Sequence, residues 1–131
     1  MLVKKSVCIE MLYPDLDFYD RIKKVSAIGY PAIEFWDWTN KDIKLLKKAV
    51  QETKIRVATF CGNSGGSMVD EDNINNFQLG LKKSINVAKE LECEALISVS
   101  GEIISNQGRL KQKETLYENL CRAADILKKE E

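Results

Sequence analysis

Hydrophobic positions along this chain switch repeatedly from alternation to a helical stripe, and each switch predicts a strand followed by a helix. Residues 4–12 (KKSVCIEML) alternate, and Tyr13-Pro14-Asp15 closes them as a turn. Asp15 or Asp17 then caps a helix with the stripe Phe18, Ile22, Val25 and Ile28, stopped by Gly29. Residues 32–38 (AIEFWDW) read as a second strand. Thr39-Asn40-Lys41-Asp42 has the S/T-x-x-D/E form that opens a helix, with Ile43, Leu46 and Val50 as its stripe. Residues 55–61 (IRVATFC) give a third strand, followed by the loop GNSGGSMVDEDN. The longest helix spans about 72–92, with Ile74, Phe77, Leu81, Ile85, Ala88 and Leu91 on one side. Residues 95–100 (ALISVS) form a fourth strand, 101–110 a polar loop, and 112–130 a last helix with Leu116, Leu120, Ala123 and Leu127 inward. The junctions VSAIGYPAIEF (25–35) and AKELECEALIS (88–98) share one form, as repeated strand–helix units do. No linker or low-complexity tract divides the chain, so one domain over 1–131 is expected.

The strands divide their side chains between two unlike faces. Val7, Ile9 and Met11 oppose Ser6, Cys8 and Glu10; Ile33 and Phe35 oppose Glu34, Trp36 and Trp38; Ile97 and Val99 oppose Leu96, Ser98 and Ser100. Central strands of a doubly wound sheet are apolar on both faces, whereas a barrel wall has one helix-facing layer and one mixed layer. The expected fold is α/β: four strand–helix units with parallel strands, half of an eight-stranded TIM barrel. The sequence stops at Glu131, where a fifth strand would begin, and unpaired first and fourth strands would be open edges. A homodimer or a missing C-terminal half is therefore the expected partner.

Charge and composition narrow the chemistry. Twenty basic and twenty acidic residues cancel, so no global field favours nucleic acid or an anionic membrane. No segment has the apolar run of a signal peptide or a membrane span, and Cys8, Cys61, Cys93 and Cys121 form no CxxC pair, so a cytoplasmic protein with reduced thiols is expected. Histidine is absent, which excludes Ser-His-Asp, Cys-His and HExxH chemistry within this chain.

Several residues stand out, each with two readings. Glu10 and Glu34 share an inward phase on adjacent strands, which suits metal ligation or an acid–base pair; alternatively they are interior charges bonded to Lys, Ser or water. Trp36 and Trp38 with Asp37 would make a sugar-stacking rim, or else a packing surface. Asn63-Ser64-Gly65-Gly66-Ser67 has backbone N–H groups that suit a phosphate but lacks the GxxxxGK[ST] and GxGxxG patterns, leaving a mobile loop as the alternative. Ser98 and Ser100, before Gly101, suit a polar ligand or a crowded interior. Cys61 has no histidine to activate it, so a filler role stands beside that of a nucleophile. The expected ligand-binding set is Trp36, Asp37, Asn63 and Ser100.

The segments IEMLYPDLDFYDRIKKVSAIGYPAIEFWDW, LISVSG and TLYENLCRAADILKKE, with GYPAIEF at 29–35 and the 117–130 helix as the most specific pieces, resemble the first half of the hydroxypyruvate isomerase group. That group lies among the xylose isomerase-like TIM barrels, the sugar isomerases and epimerases. The resemblance implies a full barrel of roughly twice this length, a divalent metal (Mg, Mn or Zn), and proton transfer between adjacent carbons of a small hydroxy-carbonyl substrate. It also implies that the metal ligands and paired catalytic glutamates come mainly from strands five to eight, so no metal is expected on this chain alone. Glu10 and Glu34 are then the candidate carboxylates of this half. Three features depart from the family pattern: Phe60 and Cys61 where relatives commonly carry histidine, Glu10 where a small residue is usual, and a Gly-Ser-rich loop at 62–67. Two functions follow: an isomerase half that is not competent alone, or a non-catalytic half-barrel that acts through self-association.

Overall fold

The computed structural model describes residues 4–130. Its elements run in the order β1 (Val7–Cys8), α1 (Phe18–Ile28), β2 (Ala32–Glu34), α2 (Ile43–Thr53), β3 (Arg56–Cys61), a short 3-10 turn (Glu71–Asn73), α3 (Ile74–Glu90), β4 (Leu96–Ile97) and α4 (Arg109–Leu127). All strands are parallel, and their order in the sheet is β1-β2-β3-β4. Doubly wound sheets reverse order at a switch point, whereas a barrel wall adds each new strand beside the last. The consecutive order therefore matches the half-barrel expectation. Val7 pairs with Ile33 and Ile33 with Val57, and a register shift between Ile33 and Glu34 brings Glu34 opposite Thr59.

The chain divides into two compact units. One comprises the described chain up to Cys61 with Asn86–Ile97, and the other Gly62–Ile85 with the described chain from Ser98 onward. The first holds the sheet. Its core gathers Ile9, Ile33, Phe35, Val57 and Phe60 from the strand region with Ile22, Val25, Leu46, Ala49, Val87 and Leu91 from the helices and α3's end. Ile33 and Phe35 are fully buried, as the alternation predicts. On β4 the phase is the reverse of the expected one: Leu96 packs against this core while Ile97 is 44% exposed. The cause is register, because Phe60 pairs with Leu96 and the core face passes between them. Trp38 also packs against the core, since β2 ends at Glu34 and the strand alternation no longer applies.

Local chemistry sets the helix ends. Asp17 caps α1 by accepting from the Tyr19 N–H. Gly29 closes it at φ 98°, with Gly29 N–H donating to Ser26 O and Tyr30 N–H to Val25 O, a Schellman-type ending. Ile28, expected in the stripe, is 56% exposed, whereas Phe18, Ile22 and Val25 face the core. α2 starts later than the Thr39 signal implies. Asp42 is itself the cap, accepting from Lys44 and Leu45 N–H, while the Thr39 hydroxyl is spent on Asp37.

The second unit is organised differently. The inner face of α4 carries Gln112, Thr115, Asn119 and Ala123, and the expected inward residues Leu120 and Leu127 are 49% and 46% exposed. Polar groups win this face because they satisfy loop backbone. Gln112 bonds Ile104 N–H and O and Gln107 O, and Asn119 Nδ2 donates to Met68 O at 2.8 Å. The Gly-Ser-rich loop, read as mobile, sits hard against α3. A Cβ on Gly65 would lie 1.8 Å from Asn76 O, and one on Gly80 would lie 2.2 Å from Gly65 N.

These glycines separate two costs. Gly29→Ala meets no atom within 4 Å and carries only left-handed backbone strain, so a loss of about 1 kcal/mol is expected by urea unfolding. Gly65→Ala drives the loop off the helix, and a loss of about 3 kcal/mol is expected. Equal losses would contradict the close packing.

Candidate functional site

In the first unit, the C-terminal ends of β1 and β2 converge on one lysine. Lys41, just before the α2 cap, has only 5% of its side chain exposed. A buried ammonium needs three acceptors. It finds Glu10 Oε1 at 2.9 Å, Asp37 O at 2.7 Å and Asn40 Oδ1 at 3.0 Å, with the Phe18 ring 4.5 Å away. Glu10 Oε2 accepts the Trp36 N–H at 3.0 Å. Both carboxylate oxygens are thus pinned, each with lone pairs remaining. Trp36 is 53% exposed and presents its ring to solvent at the β2 end.

Arg21 holds the other side of this rim. Its guanidinium donates to the carbonyls of Ile9, Glu10, Pro14 and Leu16, which fixes the loop that follows β1. Neither Lys41 nor Arg21 stands out in the sequence. Both are single cations in charge-rich segments, and only the fold shows which carbonyls they meet.

Glu34 takes a different side-chain partner. Its Oε1 accepts the Ser6 hydroxyl, and in register beside it the Thr59 hydroxyl is buried with no partner among the described residues. Asp37 is engaged in a local turn, accepting the Thr39 N–H and hydroxyl at 2.8 Å. In the second unit, the Asn63 side chain pairs with the Val99 backbone, donating to its O at 2.7 Å and accepting its N–H at 3.0 Å. Ser100 O takes the N–H groups of Met68 and Val69, while the residue itself is exposed. Of the expected ligand-binding residues, Trp36 and Asp37 belong to the first unit and Asn63 and Ser100 to the second.

Among the described residues no three His, Cys, Asp or Glu side chains gather as metal ligands. Glu10 is already neutralised by Lys41, so the carboxylates present do not fit the divalent cation that the resemblance implies. Among the described residues no helix is long and apolar enough to cross a membrane.

Burial, reinforced by Asp37 and Cys8, pushes the Cys61 thiol above its ordinary pKa, and burial does the same for Cys93. The folded chain keeps these protons to higher pH than the unfolded chain. The stability linked to them is full below the ordinary thiol value of about 8.5 and is lost as pH rises past it. Iodoacetamide near neutral pH should label the exposed Cys121 first. Labelling of the buried Cys93 at the same rate would contradict its burial. Lys41→Met strands the Glu10 carboxylate and should cost about 2 kcal/mol, while the double variant with Glu10→Gln should recover about half, read by urea unfolding as a double-mutant cycle. Additive losses would show that the pair is uncoupled.

Comparison with known proteins places this geometry. A family model described as xylose isomerase-like TIM barrel matches residues 22–131. A putative hydroxypyruvate isomerase of Danio rerio is 26% identical over 134 residues, covering 93% of this chain and 49% of the relative. The 2-oxo-tetronate isomerase of Pectobacterium atrosepticum is 23% identical over 124 residues, covering 89% of this chain and 47% of the relative. The crystal structure of AP endonuclease, family 2, from Brucella melitensis superposes with a TM-score of 0.88 at 19% identity, over 98% of this chain and 52% of that one. The chain spans about half the length of the curated relatives it matches. Parallel strands in consecutive order and a family match over most of the sequence lead to one conclusion: the chain belongs to the xylose isomerase-like TIM barrel family.

Proposed function

We infer that this chain forms the N-terminal half of an isomerase or epimerase that moves a proton between adjacent carbons of a small hydroxylated 2-oxo acid or sugar. The observation that carries the reading is that both curated relatives, matched along nearly the whole chain, are named isomerases of such compounds. The rim supports it. Active sites of these barrels lie at the C-terminal ends of the strands, and there the exposed Trp36 ring stands beside a fixed carboxylate. The ring offers an apolar face to substrate C–H groups, and the free lone pairs of Glu10 accept a substrate hydroxyl. Lys41 has spent all three protons, so its role is to hold Glu10 rather than to react. Asn63 and Ser100 are proposed as polar ligand contacts of the second unit taken by itself.

The proton-moving carboxylates and any metal ligands come from a second half of the barrel, so the chain alone binds without turnover. A divalent metal held by that second half would supply electrophilic polarisation of the substrate carbonyl, and none of the described residues is assigned to it. Four free thiols suit a reducing, cytoplasmic compartment. A second reading, self-association of the half-barrel, is favoured by the sheet, in which β1 and β4 each pair with one strand among the described residues.

Amide NMR titration with hydroxypyruvate tests the binding reading. Saturable shifts at the Trp36 indole and the Glu10 amide are expected, with affinity weakened about tenfold in Glu10→Gln. The absence of any Trp36 response at millimolar substrate would remove the isomerase reading. Sedimentation velocity on the same sample tests the second reading, which predicts a dimer.

A further inference from the structure

The sheet of the first unit ends on two edges of opposite charge. Lys5 precedes β1 and Glu94 precedes β4, each by two residues, and both side chains are exposed. Neither has an ion pair or a side-chain hydrogen bond among the described residues. Resting on the self-association reading, we propose that a second copy of this chain docks edge to edge, with β4 of each copy beside β1 of the other. Glu94 of each copy then faces the partner's Lys5, and eight parallel strands close about a two-fold axis.

Edge strands commonly repel addition through lysine or proline. The β4 edge has neither, since Ala95, Leu96 and Ile97 carry no charge and Ile97 is exposed. Joining like edges about a two-fold axis runs them antiparallel and leaves the other pair of edges open. Joining β4 to β1 keeps the strands parallel, brings the acidic and basic N-terminal ends together, and by symmetry leaves no edge. Register supports the match. A closed barrel of this kind has a shear of about eight residues, so each half contributes about four. Because strands coil right-handed around a barrel, a line through paired residues drops toward their N-terminal ends as it crosses from strand to strand. The line through Cys8, Glu34 and Thr59 extends to Ala95, one residue before the Phe60–Leu96 pair. It therefore meets the partner's Lys4. Glu94 then lies diagonal to the partner's Lys5 on the same face, and Ile97 lies beside the partner's Ser6, out of water.

The test is charge reversal, read by sedimentation velocity of the whole chain over a concentration series. Glu94→Lys alone and Lys5→Glu alone each set like charges across both seams, so each should weaken dimerisation by about tenfold. Mixed in equal amounts, the two variants complement each other at both seams. Their heterodimer should regain an affinity within about threefold of the unaltered dimer, and added salt should weaken both. Both positions are exposed, so circular dichroism should stay the same. Single variants that dimerise as tightly as the unaltered chain, or a mixture that recovers no affinity, would overturn the edge assignment and leave self-association standing. An unaltered chain that remains monomeric at about 200 μM would overturn both together.

Discussion

The stack of Phe35 on Phe60, with centroids 5.0 Å apart and planes within 4° of parallel, is the contact on which the first unit depends. It sets which face of β2 and β3 meets the helices. Phe18 of α1 closes on Phe35 edge-to-face, so the helix is fixed to the same stack. The ammonium of Lys41 then lies over the Phe18 ring and, at 5.6 Å, that of Phe35. Burying that charge demands a carboxylate, and Glu10 supplies it. Aromatic packing thereby determines where the rim carboxylate sits, and through Trp36 N–H it fixes the backbone beside the exposed ring.

By alternation the same phase sends Glu34 and Cys61 to the opposite face. The two carboxylates that share an inward phase in the sequence take different partners in the structure. Glu10 stands beyond the end of β1, where the strand no longer dictates direction and Lys41 does. Glu34 remains in the strand and meets Ser6. Partial burial of Cys61 on that face, with Asp37 and Cys8 nearby, raises its thiol pKa, which suits packing better than nucleophilic attack.

Element types and order were legible because period, caps and the Gly29 stop agree, and those are local signals. Strand four was misphased because ALISVS is apolar or small throughout, so alternation alone cannot say which side Leu96 takes. Pairing with Phe60 decides it, and that is a long-range fact. The inner face of α4 was misread for a related reason. Periodicity rewards Leu120 and Leu127, but Gln112 and Asn119 win the buried side by completing hydrogen bonds to loop carbonyls and amides that no pattern reveals. At the rim the carboxylate Glu10 and the aromatic Trp36 could be nominated from position, whereas their anchors Lys41 and Arg21 could not. The anchors act on backbone carbonyls, whose positions exist only once the chain is folded.

Strands added side by side, with Phe35 and Phe60 on the helix-facing layer, are the arrangement from which the rim follows. Side-chain NOE spectroscopy reads this directly. Contacts between the Phe35 and Phe60 rings, from Val7 to Ile33, and from Phe60 to Leu96 are predicted. Contacts from Val7 to Val57, with β1 lying beside β3, would show an open sheet with a reversal in strand order and contradict it.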